Sequence, residues 1–409
     1  MDLPGPPAHG RLGELARLFS RLGCTAFGGP AAHIAMLQEE VVSRRAWVTR
    51  EQFVDLLGAT NLIPGPNSTE MAIHIGYLRA GWPGLAVAGA AFILPAALIT
   101  GFLAWAYLRV GAVPAVAPFF GGIQPAVLAV ILASLLKLGW TAVKNTRLAA
   151  LGLLALVVAT AGIDALAVLL GGGLLGMIWL RLTGAGKRAR GDTTVYAGAT
   201  LFSGISPRPM LVGMATAAIA GTGAATTASL VPLWKLGLFF LKVGSILYGG
   251  GYVLVAFLQN GLVDRYGWLT QKQLLDAVAF GQFTPGPVLS TATFIGYLLA
   301  GVPGAAIATA GIFLPSFLFV AAVNPLIPRL RRSRWMSSFL DSVNVCAVAL
   351  MAAVTLSLAR GVLSSWSSWI IATVAAFAVL RWKKLNPAWI VLGGAAAGGL
   401  AGFLRSSWP

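Results

Sequence analysis

Two short stretches hold the polar chemistry of an otherwise apolar chain. Asn61-Leu62-Ile63-Pro64-Gly65-Pro66-Asn67-Ser68-Thr69-Glu70 and, 221 positions later, Gln282-Phe283-Thr284-Pro285-Gly286-Pro287-Val288 each place two prolines around a glycine. A proline lacks the N–H a helix needs and restricts the residue before it, so the helix must break there. Asn67, three residues ahead of Glu70, reads as a capping box that opens a new helix with its first amides pointing out of the break. Within a membrane that geometry is a seat for an anion. Asn61, Gly65, Asn67, Ser68 and Thr69 on one side, and Thr284, Gly286, Ser290 and Thr291 on the other, are the candidate binding residues. Packing kinks alone would explain the prolines but would not call for these hydroxyls and amides at membrane depth.

Other residues join this set. Gly28-Gly29 and Gly249-Gly250 read as a second pair of backbone openings facing the Pro-Gly-Pro breaks, and they also suit close helix approach. Arg21 and Lys242 sit seven residues before each glycine pair in apolar helices. Arg21 can snorkel to the interface, whereas Lys242, inside Leu236 to Leu247, reads as a charge that attracts the anion. His33, Glu39, Asp55, Glu70, His74 and Asp276 are the candidates for proton coupling or gating. His33, Glu39 and His74 align with Leu254, Asn260 and Phe294, so the first copy has ionisable groups the second lacks. Asp55 and Asp276 occur in both.

These residues need helices to hold them, and the composition supplies little else. Of 409 residues 57% are hydrophobic and 10% charged, which defines an all-α polytopic membrane protein. The net charge of +17 sits mostly in short loops between apolar runs, which fits positive-inside loops and not nucleic acid. Met1 to Gly10 lacks the order of a cleaved signal, so the first helix is expected to be retained. Leu15 to Leu37 reads as a helix interrupted at Phe27-Gly28-Gly29-Pro30, and Thr49 to Leu62 as an amphipathic helix leading to the break. Met71 to Leu78 is the second arm, and Gly84 to Leu108 a span kinked at Pro95. Three more apolar runs precede a basic linker and a Gly/Thr-rich span ending near Val231.

The pattern then begins again. Trp47, Arg44, Thr49, Gln52 and Asp55 match Trp268, Arg265, Thr270, Gln273 and Asp276 at one offset, and after a single deletion Gly76-Tyr77 and Leu94-Pro95 match Gly296-Tyr297 and Leu314-Pro315. The chain is a fused internal repeat, divided as 1–183, a basic cytoplasmic linker and connecting transmembrane helix at 184–231, and a second repeat at 232–409. Past the aligned Leu-Pro, successive loops carry one, three, none and four Lys or Arg in the first repeat and four, one, three and one in the second. High and low swap in each pair, so the two homologous repeats are expected to have inverted topology, with the connecting helix turning the second over. Six crossings per repeat plus one give about 13, provided each broken segment completes its crossing. Re-entrant hairpins would lower that number.

No catalytic constellation, metal motif or nucleotide loop is present in the sequence, so neither an enzyme nor a primary pump is indicated, and no cofactor is expected. Cys24 and Cys346 lie in apolar surroundings without a CxxC partner and read as buried free thiols.

Phe27-Gly28-Gly29-Pro30, Trp47, the Asn61 to Glu70 stretch, Gly76-Tyr77, Gly249-Gly250-Gly251 and Thr284-Pro285-Gly286-Pro287 together resemble the chromate transporter family in its long two-domain bacterial form. The resemblance covers residues 15 to 400. It implies a multi-pass bacterial inner (plasma) membrane protein that expels chromate and confers resistance, with proton coupling and antiparallel halves; the N-terminus is expected in the cytoplasm. The expected partners are the lipid bilayer and chromate or sulfate, two dianions of similar size; a homodimer is left open. The function expected is an alternating-access exporter, with a sulfate or general oxyanion transporter, or an anion channel, as the alternative. An inside-negative potential of about 100 mV is worth roughly 2.3 kcal/mol per charge, which makes dianion export electrically downhill.

Overall fold

The computed structural model describes residues 8–27, 29–110, 117–182, 231–248, 251, 253–323, 333–382 and 386–407. Every regular element among them is helical. The first series runs α1 (Ala8–Thr25), α2 (Gly29–Gln38) with a π-helical extension (Glu39–Arg44), α3 (Arg50–Thr60), α4 (Asn67–Val110), α5 (Ala117–Ala142), α6 (Thr146–Thr160) and α7 (Ala165–Leu182). The second runs α8 (Leu233–Ile246), α9 (Leu254–Leu258) with its own π-helical extension (Gln259–Arg265), α10 (Gln271–Phe283), a 3-10 turn (Val288–Ser290) into α11 (Thr291–Val323), α12 (Arg334–Val362), α13 (Trp366–Arg381) and α14 (Pro387–Ser407). The repeat seen in the sequence is therefore a repeat of structure, down to the π-helical turns. The linker and connecting helix expected over 184–231 lie outside the described residues except for Val231, as do Gly28, Gly249 and Gly250.

Local chemistry explains where the broken segments start and turn. Thr49 and Thr270 form capping boxes with Gln52 and Gln273, which satisfy the first amides of α3 and α10. Inside α4 the helix is broken at Ala80 and Gly81 (φ 62°), and inside α11 at Ala300 and Gly301 (φ 62°). Only glycine takes that backbone angle without strain. The chain reverses there: Gly76 packs on the Gly84 carbonyl, and Gly296 on that of Gly304.

That reversal folds each broken segment into a hairpin, the alternative that lowers the expected number of crossings. The Arg79 guanidinium, at the end of the short arm of α4, lies 5.1 Å from the ring centroid of Trp47, which precedes α3, and pairs with Glu14 of α1 at 3.2 Å. The segment thus returns to the end it entered from, with Pro-Gly-Pro at its innermost tip. Likewise α1 and the extension of α2 return to each other, with Arg21 bonded to Glu40 at 3.2 Å. Glycine at the kink turns the hairpin of each repeat, and paired charges close the mouth of the first. Among the described residues five helices are long and apolar enough to cross a membrane, α4, α5, α7, α11 with its 3-10 turn and α12, and α6, α13 and α14 are shorter apolar helices.

The repeats are interleaved. α4 packs on α11 at the centre, α5 lies along α13 and α14, and α12 lies along α6 and α7. Lipid offers no hydrophobic drive to join helices, so small residues that admit close contact carry much of this exchange. Gly122 of α5 meets the backbone of Gly394 and Gly398, and Gly173 and Gly176 of α7 receive Val343 and Ser342. Lys144 to Asp341 (2.7 Å) and Arg181 over Trp335 (5.2 Å) join the repeats on one face, and Arg265 to Asp164 (3.6 Å) joins them on the other.

Candidate functional site

The two Pro-Gly-Pro tips meet the other repeat through matching bonds. The Gly65 N–H donates to the Leu247 carbonyl at 2.8 Å, and the Gly286 N–H donates to the Ala26 carbonyl at 2.8 Å. Ala26 and Leu247 occupy equivalent positions, two residues before each glycine pair. Each break therefore docks against the opening of the opposite repeat. Gly65 (φ 144°) and Gly286 (φ 87°) take backbone angles that a side chain resists, and a Cβ on Gly286 would come 2.8 Å from Ala96 Cβ and 2.9 Å from the Gly23 carbonyl oxygen.

His33 joins the same node. Its Nε2–H donates to the Ala26 carbonyl at 2.9 Å, which leaves Nδ1 to accept from the Ser68 hydroxyl at 3.4 Å. Leu254, its counterpart, has no ring nitrogen to offer, so the node is asymmetric.

The expected capping box at Asn67 and Glu70 is not formed. Asn67 Nδ2 donates to Asn61 Oδ1 at 2.6 Å, and the Pro66 carbonyl accepts from the Thr69 and Glu70 amides at 2.8 and 3.0 Å. With the backbone of Glu70 served by Pro66, its side chain is released. Thr69 Oγ1, both Glu70 oxygens, both ring nitrogens of His74 and Ser316 Oγ are buried without hydrogen-bond partners among the described residues. The Glu70 carboxylate and the Ser316 hydroxyl both lie against Gly65, and His74 follows Glu70 by one helical turn on the same face. Native interiors leave few buried polar atoms unmatched, so this concentration at one break makes it the candidate site.

The second break is better satisfied. Thr284 donates to the Phe280 carbonyl and Thr291 to that of Val288, each at 2.8 Å, while Ser290 Oγ lies 3.2 Å from Thr100 Oγ1. Beside it a crevice of about 10 Å³ is lined by His33, Gln282, Thr284, Gly286 and Asn386 among others. That volume suits one water molecule and is too small for a tetrahedral oxyanion. The tips are closed on each other in this conformation.

The remaining candidates divide by place. Asp276 is buried, accepting from the Tyr107 hydroxyl at 2.9 Å and from Gln124 Nε2 at 3.3 Å, whereas its counterpart Asp55 is exposed. Glu39 is exposed and faces Arg44 at 3.3 Å; the buried acid of that pair is Glu40. Lys242 lines a lateral groove that shares no residue with the crevice at the tips. Gly29 opens α2.

Tyr107, Gln124, Thr100 and Ser316 belong to the site and escaped the sequence reading. Two had a signal: Gln124 is an amide in an apolar span, and Ser316 replaces the Ala96 of the other copy.

Paired repeats whose interrupted helices meet around buried polar groups, inside an apolar bundle, are the construction of a polytopic membrane transporter. Residues 13–177 and again 234–399 match the family model described as chromate transporter, and the chain belongs to that family. It is 32% identical to the chromate transport protein of Cupriavidus metallidurans over 95% of this chain and 92% of that one. It is 31% identical to the chromate transport protein of Pseudomonas aeruginosa, over 96% and 92% respectively. No solved structure matches the chain significantly.

Proposed function

We propose that the chain is a secondary transporter that exports chromate across the bacterial inner membrane by alternating access, driven by the membrane potential, by proton antiport or by both. The observation that carries this reading is the pair of glycine-to-carbonyl bonds that lock the tips of opposite repeats together. Parting those bonds would free the Gly65 and Gly286 amides. They would then face an anion together with Ser68, Thr69, Thr284 and Ser290, at the depth where a dianion needs donors most. Glu70 and His74, buried beside the first tip, are the proton-coupling groups of this scheme, with His33 and Asp276 coupling the tips to their surroundings.

Inverted repeats are part of the proposal. The tip of the second repeat touches Ala96 near the middle of α4, while Asp276, Phe280 and Phe294, nearer its mouth, meet Tyr107 close to the far end of α4. A hairpin entering from the face opposite the first gives that order. The face that joins Lys144 and Arg181 to the start of α12 collects the Lys- and Arg-rich loops, which makes it cytoplasmic together with the start of α1.

Uptake of chromate into inside-out vesicles tests the reading. The expected result is saturable uptake that rises when the lumen is made positive and responds to an imposed pH gradient. Sulfate as competitor sets the selectivity: saturated uptake halved by equimolar sulfate would make the chain a general oxyanion carrier. Flux without saturation would make it a channel.

A further inference from the structure

Comparison of the two repeats exposes a charge imbalance on one lateral face. In the first repeat Glu40, with its side chain buried, holds Arg21 at 3.2 Å, Arg44 at 3.1 Å and Arg45 at 3.4 Å, while Glu14 holds Arg79. At the equivalent positions the second repeat keeps two of these cations, as Lys242 and Arg265, but replaces Glu14 by Lys235, Glu39 by Asn260 and Glu40 by Gly261. Three carboxylates are lost and Lys235 is gained as a cation, while Arg45 and Arg79 give way to Tyr266 and Leu299 and Asp264 stands where the first repeat has Ser43. Asp164 answers Arg265 at 3.6 Å, and Asp264 turns to Gln259 at 2.8 Å. Lys235 and Lys242 have no carboxylate partner among the described residues.

The second repeat has Gly261 at the position of Glu40, with the Phe239 ring packed over it, and a groove opens beside them. It measures about 320 Å³ and lies between α8, the π-helical extension of α9 and the turn before α7. Lys235, Lys242 and Arg265 stand along it, and Trp234, Leu238 and Phe257 are among its apolar walls. Trp234 and Leu238 are 63% and 55% exposed, so this wall faces outward from the bundle. Lys235, over the Trp234 ring at 5.5 Å, and Lys242 stand seven residues apart along one helix without a carboxylate, beside an outward apolar wall whose one acid, Asp164, is taken by Arg265; the pair matches an amphiphile with an anionic head.

We propose that this groove holds one anionic phospholipid, its phosphate held by Lys235 and Lys242 and its acyl chain lying on the apolar wall. The basic linker of this chain is a poorer occupant, because residues 183–208 carry Lys187, Arg188, Arg190 and Arg208 against Asp192 alone, and the uncharged stretch 209–230 offers nothing for the two lysines. A free oxyanion shares the head-group chemistry but leaves the apolar wall unused.

Native mass spectrometry of the purified full-length protein separates these sources. Phosphatidylglycerol and phosphatidylcholine with identical chains are supplied in equal amounts, with and without millimolar inorganic phosphate. The expected result is one phosphatidylglycerol retained per chain in preference to phosphatidylcholine, unmoved by phosphate. Lys235→Gln with Lys242→Gln should weaken that retention about thirtyfold, since each cation near an anionic surface is worth roughly fivefold. Lys→Arg at both positions should keep it, and Asn260→Glu, which restores an internal carboxylate, should lower it with all cations present. Equal retention of the two lipids by the unaltered protein would overturn the proposal, as would displacement of phosphatidylglycerol by inorganic phosphate. The unaltered protein decides the matter even if a variant fails to fold.

Discussion

Glu70 and His74 set the terms of the proposed site, because their buried side chains have no hydrogen-bond partner among the described residues. The coupling role proposed for them predicts that Glu70→Gln removes the response of chromate uptake to a pH gradient while leaving the response to voltage. His74→Phe, which copies Phe294 of the second repeat, should do the same without loss of chromate binding. Uptake by either variant that still follows the pH gradient would exclude that residue from coupling. Asp276 makes a different prediction, because it is satisfied by two donors from the other repeat. Tyr107→Phe leaves one carboxylate oxygen short of a donor, at a cost of about 1–3 kcal/mol. The measurement is a lower melting temperature in detergent. The ionisable residues themselves were legible in the sequence, as was the asymmetry between copies. Their environments were not: Asp55 and Asp276 are the same residue in the same motif, yet one is exposed and the other buried under Tyr107.

The broken helices work through their glycines. Gly162, in the turn between α6 and α7, has φ 85°, close to the 87° of Gly286, but nothing stands within 4 Å of a Cβ there. Gly162→Ala should therefore cost only the backbone strain, about 1–2 kcal/mol, and preserve transport. Gly286→Ala adds a collision with Ala96 and Gly23 and should part the bond to Ala26, lowering stability further and abolishing uptake. Equal loss in the two variants, measured by thermal unfolding and vesicle uptake, would show that strain alone matters and that the interlock does not. The positions of the breaks were readable because proline and glycine act locally. The return of each hairpin was not: the sequence separates the arm Met71 to Leu78 from the span Gly84 to Leu108, and crossing and hairpin both stay open until Gly76 and Gly84 are seen in contact. The misplaced capping box has a similar origin: Asn67 can cap only if it precedes the helix, and the Pro66 carbonyl had already taken that position.

Across the whole molecule the repeats exchange helices, so neither can complete its packing alone. The inverted orientation proposed for them predicts how the loops are exposed. In a variant with Cys24 and Cys346 replaced, single cysteines at Lys144 and Arg381 should resist a membrane-impermeant thiol reagent added to intact cells. Cysteines at Asp164 and Arg360 should react. Labelling of Lys144→Cys and Asp164→Cys from the same side would dismiss the arrangement.

What the amino-acid order determined by itself is whatever depends on near neighbours and on loop composition: an apolar helical chain in two copies, each broken at Pro-Gly-Pro, with alternating loop charge. Proline stereochemistry and the charge of a loop are properties of a few consecutive residues, and they survive in any fold. Only the tertiary structure decided that Gly65 meets Leu247 and Gly286 meets Ala26, that α5 and α12 lie along the other repeat's final helices, and that Glu70 keeps no partner among the described residues while Glu40 gathers three arginines. A hydrogen bond between residues 182 or 260 positions apart is set by how whole hairpins pack, and nothing in the local sequence around either end records the other.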